Sequence, residues 1–196
     1  AGGGNTATVV DLDGDGVVNF NGVLGTSNWT VNVSTGISTP ALGTPMFPNI
    51  DLNSVNLTAS GAGSLTIMLS DNNFVAANPA IDLFRFGVGG TTVNNASVAV
   101  NAYASSSNNL FALDENIGSL GPYMNGPFSG EVRTPTTQTS GTYSLTIAAT
   151  INHATGASVS SFDAQLQAVP EPASIAAWSM LAMMGVAGMV WSRRRR

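Results

Sequence analysis

Residues 143–147 read Tyr-Ser-Leu-Thr-Ile, and residues 162–168 read Phe-Asp-Ala-Gln-Leu-Gln-Ala. In both stretches an apolar side chain alternates with a polar one, so that every second residue lies on the same side of an extended chain. This period of two predicts β-strands with one face in a core and the other toward solvent. We therefore take this alternation as the starting point for the fold.

The same kind of run recurs along the chain, separated by clusters of Asn, Gly, Pro and Ser that are typical of turns. Two more runs alternate cleanly, Trp29, Val31 and Val33, and Leu65, Ile67 and Leu69. Weaker candidates lie near residues 55–59, 81–88, 97–103 and 110–113. From residue 6 to residue 169 no stretch keeps a helical period for three turns, so helix is expected only in the C-terminal tail.

Eight or so strands in this part of the chain predict an all-β domain of two antiparallel sheets packed face to face, a jelly-roll-like β-sandwich. A closed barrel is the alternative, because a sequence does not show whether sheet edges join. The total of 196 residues is enough for one domain with a real core. We predict a flexible tail at residues 1–5 and the sandwich at residues 6–168.

Composition excludes several classes of function. Cysteine and lysine are absent, so disulfides, thiolate metal sites and cysteine nucleophiles are excluded. Residues 1–172 carry all eleven carboxylates against only Arg85 and Arg133, a formal charge of −9. Such a domain repels nucleic acid, which needs a basic surface.

The tail has a different composition. Residues 173–192 contain no charge, and a helix of this length spans roughly the 30 Å of a bilayer core. Trp191 stands at the end of the run, where an indole favours the headgroup zone, and the last four residues are Arg193, Arg194, Arg195 and Arg196. The positive-inside rule predicts a single transmembrane helix with these arginines in the cytoplasm and residues 1–170 outside.

Directly before this run stand Pro170, Glu171 and Pro172, preceded by Val169 in a linker of four residues. The order Pro-Glu-Pro, apolar helix, arginine cluster and chain end resembles the PEP-CTERM sorting signal of bacteria that secrete exopolysaccharide. Two prolines keep the backbone extended and remove amide donors, which suits a segment that an enzyme must grip.

The resemblance implies a route and a set of partners. Proteins with this tail cross the inner membrane, are held there by the helix, and are processed near the Pro-Glu-Pro segment by an exosortase, a membrane-embedded cysteine transpeptidase-like enzyme. The released domain is then expected at the cell surface or in the extracellular matrix.

One segment resembles a calcium loop. Residues 11–19 read Asp-Leu-Asp-Gly-Asp-Gly-Val-Val-Asn, which supplies carboxylates from Asp11, Asp13 and Asp15 at loop positions 1, 3 and 5. A glycine follows at position 6, and Val17 and Asn19 would contribute a backbone carbonyl and a side-chain oxygen.

The end of this loop departs from the EF-hand and dockerin pattern. Position 12, where a bidentate carboxylate should close the calcium shell, is Gly22, and the residues around it are strand-like rather than helical. Two interpretations stay open: a calcium site completed by a distant acceptor such as Asp51 or Asp71, or a solvated Asp-Gly turn that leads into a strand.

Catalytic residues are scarce. His153 is the single histidine, and we expect it to be solvated in a loop at a strand end, since no nucleophile elbow accompanies it. Asp114 and Glu115 are adjacent in sequence and would point apart, whereas glycosidase carboxylates face each other across a bond. The sequence therefore predicts a protein that is not an enzyme.

Three functions remain, of which the first is favoured: a structural protein of the surface or extracellular matrix, associated with exopolysaccharide in a biofilm. The alternative is a calcium-braced carbohydrate-binding module in which exposed Trp29, Tyr103 or Tyr123 stacks on sugar rings. The least favoured is a secreted hydrolase, which would need two facing carboxylates or a partner for His153.

Overall fold

The computed structural model describes residues 6–24, 29–76, 83–135, 137–138, 140–154, 158–169 and 179–184. These residues form nine antiparallel strands: β1 (Val17–Leu24), β2 (Trp29–Ile37), β3 (Gly43–Thr44), β4 (Phe47–Ala59), β5 (Gly63–Val75), β6 (Leu83–Ser105), β7 (Glu115–Pro135), β8 (Thr142–His153) and β9 (Ser158–Val169). Residues 179–184 are helical.

Strand β6 belongs to two sheets. Its residues 83–93 pair with β9, and its residues 96–105 pair with β8. The first sheet therefore has the order β1-β2-β4-β9-β6, and the second continues from β6 through β8 to β5. Strand β7 follows β6 along both halves on its other side, and β3 pairs with β4. Within the described residues β1 and β5 end this path unpaired with each other, so the closed arrangement is not formed.

A bend in the β6–β7 hairpin separates the two sheets. Asn94 and Asn95 have φ of 58° and 59° where β6 changes partners, and Asn125 and Gly126 have φ of 53° and 133° on β7. Asparagine tolerates this left-handed region because its short side chain can hydrogen-bond locally. The Asn95 amide donates to Asn125 Oδ1 at 3.0 Å, which joins the two strands across the bend.

The core lies between the two sheets. Phe84 of the first sheet meets Tyr143 of the second edge-on, with ring centroids 6.2 Å apart. Gly36 of β2 faces β5 so closely that an added Cβ would lie 2.7 Å from Leu69 Cδ1. The predicted antiparallel β-sandwich is confirmed, with buried aliphatic and aromatic side chains from both inner faces.

The four alternating runs of the sequence lie in strands β2, β5, β8 and β9, as predicted. Trp29 and Val31 are buried together, whereas the side chain of Val33 lies outside the described part of the chain. The candidates at 81–88 and 97–103 are two parts of the single long strand β6.

The strand predicted at residues 110–113 is wrong. These residues belong to a loop between β6 and β7 that folds over the outer face of the second sheet, where Ser144 Oγ donates to Asn109 O at 2.7 Å. Phe111 has φ of 61°, and its amide donates to Ser70 Oγ. The apolar run Leu110 to Leu113 resembles a strand in composition, but it is held by polar contacts to the loop backbone.

Strand β7 was not predicted, because its Gly and Pro content is typical of loops. Among the described strands it pairs with β6 alone, so its other edge needs no amide donors to a neighbour there. Pro122 and Pro127 are therefore compatible with the strand, as prolines generally are at a sheet edge.

In the tail, only residues 179–184 of the predicted membrane helix at 173–192 are described, and they are helical. No helix within the described residues is long and apolar enough to span a bilayer.

Two glycines of β6 provide a matched test of the packing. A Cβ on Gly90 would lie 2.6 Å from Phe162 Cβ and 2.8 Å from Phe128 Cζ, whereas one on Gly87 would come no nearer than 3.7 Å to Gly130 O. We expect Gly90→Ala to lower the free energy of unfolding by about 1–3 kcal/mol through overpacking. Gly87→Ala should leave it unchanged or slightly higher, because alanine restricts the unfolded chain more than glycine. Urea denaturation of both variants measures this, and equal losses would contradict the close packing at Gly90.

Candidate functional site

The outer face of the first sheet contains a polar trough of about 390 Å³. Its floor is the backbone of β6 at Gly87 and Gly89, which have no side chains to fill it. A Cβ on either glycine would meet nothing closer than 3.7 Å. The trough therefore exists because small residues of a central strand lie between longer side chains of its neighbours.

The strand register places polar side chains on both sides of this floor. One row across the sheet reads Asp51, Gln165, Gly87 and Glu131, from β4, β9, β6 and β7. In the flanking rows Gly89 pairs with Asp163, and Arg85 pairs with Gln167. Asn49, Asn53 and Gln165 add amides, and Gln165 Nε2 donates to Asn49 Oδ1 at 3.1 Å.

The two walls differ in charge. On the β7 side Glu131 bonds to Arg85 at 2.5 Å and to Arg133 at 2.9 Å, and these guanidinium groups lower the pKa of the Glu131 carboxyl. On the opposite wall Asp163 Oδ1 accepts the amide of Ser54 at a bulge of β4. Burial, together with the nearby charge of Asp163, raises the pKa of the Asp51 carboxyl. The β4–β9 wall is therefore anionic without a basic side chain to balance it among the described residues.

The aromatic platform predicted for sugar stacking is wrong for Trp29. Its side chain is only 4% exposed and packs against His153 inside the sandwich, with ring centroids 4.4 Å apart. Tyr123 lies on β7 with its ring stacked on Phe128 at 4.6 Å, and Tyr103 lies on the second sheet. The three aromatic residues are on different surfaces and form no common platform.

The acidic loop brings three of its predicted ligands together. Carboxylate oxygens of Asp11, Asp13 and Asp15 lie within 4.8 Å of one another. Asp11 accepts the amides of Gly14 and Gly16 at 2.8 Å each, and the bond from Gly16 lowers the pKa of the Asp11 carboxyl. These bonds fold the loop into the compact turn that a cation site requires.

The other residues predicted to ligate calcium at this loop do not all lie next to the three carboxylates. The Val17 amide points away from β2 and donates to Asp15 Oδ1. Because the N–H and C=O groups of one strand residue point to the same side, the Val17 carbonyl also faces this free edge of β1. Asn19 is exposed on β1, and Gly22 lies inside that strand rather than in a following helix. Asp71 lines the same cavity as Asp11, whereas Asp51 lines the trough.

If this loop binds calcium, the ion should stabilise the fold. We expect about 10 mM CaCl₂ to raise the unfolding temperature by a few degrees relative to EDTA, since exposed extracellular sites bind at about 10⁻⁴–10⁻³ M. Asp13→Asn should abolish the shift, and Asp114→Asn, in the loop before β7, should keep it. An equal shift in both variants would argue against a calcium site at this loop.

A second cavity of about 540 Å³ opens between the edge strands of the two sheets. It is mostly apolar, with Val31, Leu52 and Leu69 in its wall and residues 6–10 and Phe111 at its sides. The acidic loop and Asp71 are at its polar end, so calcium in the loop would also brace this opening.

His153 is buried, which corrects the expectation of a solvated histidine. Its side chain is only 2% exposed at the end of β8. Nε2 lies 3.1 Å from Ser160 Oγ, which lies 3.2 Å from Thr92 Oγ1. Nδ1 has no hydrogen-bond partner among the described residues. His153 therefore contributes to the packing between the sheets, and it lines neither of the two cavities.

Burial lowers the pKa of His153 below its usual value of 6.5. The unfolded chain therefore takes up a proton at a pH where the folded domain does not, so stability is complete above about pH 6.5 and falls as the pH drops below it. We expect the unfolding temperature to fall by several degrees between about pH 7 and pH 5. His153→Gln, which retains a polar atom for Ser160, should remove most of this dependence. An unchanged pH profile in this variant would assign the effect to other groups.

The residues predicted for sorting lie next to the last strand. Val169 is the final residue of β9, paired with Leu83. Pro170, Glu171 and Pro172 follow at once, and they lie outside the described residues, as do Trp191, Arg193, Arg194, Arg195 and Arg196.

The family model for the PEP-CTERM protein-sorting motif matches residues 168–196. This chain carries the PEP-CTERM sorting motif. The match covers the tail that the sequence analysis singled out and begins at the penultimate residue of β9. The motif implies export and processing by an exosortase. No curated protein matches the chain significantly.

Solved structures resemble the β-rich part at low identity. TmCBM61, solved in complex with β-1,4-galactotriose, has a TM-score of 0.39 at 12% identity, covering 74% of this chain and 90% of its own. The mannan-recognising carbohydrate-binding module TmCBM27 has a TM-score of 0.34 at 13% identity, covering 81% and 91%. A Stig cyclase from Fischerella sp. has a TM-score of 0.33 at 17% identity, covering 79% and 85%. Likenesses of this size do not identify a ligand or an activity for this chain.

Sequence reasoning missed the trough. The polar side of residues 162–168 and the glycines at 87 and 89 are visible in the sequence. Their pairing across β9 and β6 depends on a contact between residues about eighty positions apart, which no local pattern reports.

Proposed function

We propose that this protein is a non-enzymatic structural component of the bacterial cell surface or extracellular matrix, associated with exopolysaccharide in a biofilm. It is exported, held in the inner membrane by a helix over residues 173–192 with the arginines in the cytoplasm, and released by an exosortase. The observation that carries this proposal is the sorting motif at residues 168–196.

The position of the motif relative to the fold supports release of an intact domain. All nine described strands precede Pro170, and the last of them, β9, lies in the interior of the first sheet between β4 and β6. Cleavage after residue 169 therefore removes no strand. Cleavage several residues earlier would remove ladder bonds from the middle of the sheet, so the proline segment is the first suitable place to cut.

The composition of the domain suits a hydrated matrix. Only 9% of the residues are charged, while the outer faces carry many hydroxyl and amide side chains. Such groups exchange hydrogen bonds with water and sugar hydroxyls at little net cost. We further propose that the two sheets of this domain are connected in a jelly-roll-like arrangement.

A carbohydrate-binding module is the second candidate, and the polar trough is the observation that favours it. With Trp29 in the core, binding would depend on hydrogen bonds from amides and carboxylates in the trough rather than on an aromatic platform. Calcium at residues 11–19 would brace a different part of the domain and would not contact this ligand.

The trough does not favour hydrolysis, although it contains more than one carboxylate. Asp51 and Asp163 come from adjacent strands on one wall, whereas a glycosidase needs two carboxyl groups on opposite sides of the scissile bond. On the other wall Glu131 is held ionised by Arg85 and Arg133, so it is a poor general acid.

Processing can be tested by intact mass and cell fractionation of the full chain in a host with and without an exosortase. We expect the mature protein to lose the apolar segment and all four C-terminal arginines, and to leave the membrane fraction, only when the enzyme is present. Replacing Pro170, Glu171 and Pro172 together by alanine should keep the full-length chain in the inner membrane.

Pro135→Ala, at the end of edge strand β7, is the matched control and should be processed normally. Retention of the full-length chain in the membrane with and without the exosortase would make the tail an ordinary anchor and would contradict the proposed release.

A further inference from the structure

We infer that the trough on the first sheet binds a polysaccharide that carries amino groups, with an ammonium group held by Asp51 and Asp163 and sugar hydroxyls held by the amides around them. This inference rests on the proposed association with exopolysaccharide and adds the site and the chemical class of the sugar.

The case for a cationic ligand starts from the unequal walls. On the β7 side, Arg85 and Arg133 share the single carboxylate of Glu131 through two ion pairs, so that side keeps a net positive charge. On the β4–β9 side, Asp163 accepts only a neutral backbone amide from Ser54, and no described residue donates a hydrogen bond to the Asp51 carboxylate. A cation that enters the trough therefore finds two carboxylates on one wall and no competing positive side chain there.

The burial of Asp51 strengthens this argument. Half-burial and the charge of Asp163 both disfavour its ionised form, which raises its pKa. A group that is kept charged in an unfavourable environment is stabilised when an opposite charge is brought to it. An ammonium group between Asp51 and Asp163 would relieve their mutual repulsion, whereas a carboxylated sugar would increase it.

The net charge of the domain also favours a cationic ligand. Residues 1–172 have a formal charge of −9, so a polyanion is repelled before it reaches the trough and a polycation is attracted. Among polysaccharides this favours chains with free amines over those with uronic acids.

The remaining lining fits a sugar chain better than a simple cation. Asn53, Gln165 and Gln167 each offer both a donor and an acceptor, as sugar hydroxyls require. The glycine floor runs along β6 from Gly87 to Gly89, about 7 Å at the rise of a strand, and gives room for part of a sugar chain to lie on the backbone.

The experiment uses the full chain in detergent and matched soluble oligosaccharides. The probes are a glucosamine hexamer, its N-acetylated counterpart and a galacturonic acid hexamer, measured by titration calorimetry at about pH 6 in EDTA, where amines are protonated. We expect binding of the glucosamine hexamer, at least about tenfold weaker binding of the acetylated one and none of the acidic one.

Two variants locate the site by different means. Asp51→Asn removes the charge and keeps the shape, and Gly87→Val fills the floor and keeps the charge. Each should weaken binding of the glucosamine hexamer at least about tenfold. Asp114→Asn removes an equal charge from the loop over the other sheet and should bind normally.

Thermal unfolding separates lost binding from lost folding. Asp51→Asn should raise the unfolding temperature at neutral pH, because it removes a charge that the folded state disfavours. Gly87→Val should not lower it, because the added side chain has space and valine favours strands.

The outcomes discriminate clearly. Equal weakening by Asp51→Asn and Asp114→Asn would make binding a property of the overall charge and would overturn the site. Equal affinity for the acetylated hexamer, or equal affinity for a lysine hexapeptide, would overturn the amino-polysaccharide class. Absence of all binding would overturn the inference while leaving the proposed function to the processing experiment, which does not depend on the trough.

Discussion

The bend in the β6–β7 hairpin is the constraint on which the sandwich depends. A strand of 23 residues cannot stay straight and also serve two packed sheets, so it must turn once, and it does so at Asn94 and Asn95. Because β7 bends at the matching place, the hairpin keeps its pairing on both sides of the corner. The orientation of one sheet relative to the other is thereby set by two strands that belong to both.

The same hairpin connects the core with the candidate site. On the inner face of β6, Phe84 and Phe86 are fully buried and hold the sheets together. On the outer face, Gly87 and Gly89, which follow them in the same strand, leave the trough open. Alternate residues of one segment therefore pack the core and line the trough, since successive side chains of a strand point to opposite faces. The trough is also where the fold tolerates an unfavourable charge at Asp51, as binding sites commonly do.

Several features could be read from local pattern because their causes are local. The alternation of Tyr143, Leu145 and Ile147 predicts a strand whatever its neighbours are, and the acidic loop forms from residues within a few positions of one another. The expected solvent-facing side of this strand is wrong, because Ser144 and Thr146 are buried as well. Predictions failed where the cause is distant. His153 has the local sequence of a loop residue, but in the fold it packs against Trp29. Strand β7 has the composition of a loop, but its prolines are tolerated because it lies at a sheet edge.

The sequence by itself determined that this is a β-rich domain with an acidic body, and that its tail carries a sorting motif, because strand alternation, charge and a short linear motif are properties of neighbouring residues. Only the tertiary structure decided which strands pair, and so which side chains share a surface. Asp51, Gly87, Glu131 and Gln165 meet in one row through contacts that span the domain, and a register shift of a single residue would turn their side chains to the opposite face. Recognition chemistry built across strands is therefore encoded in pairing, which local sequence does not specify.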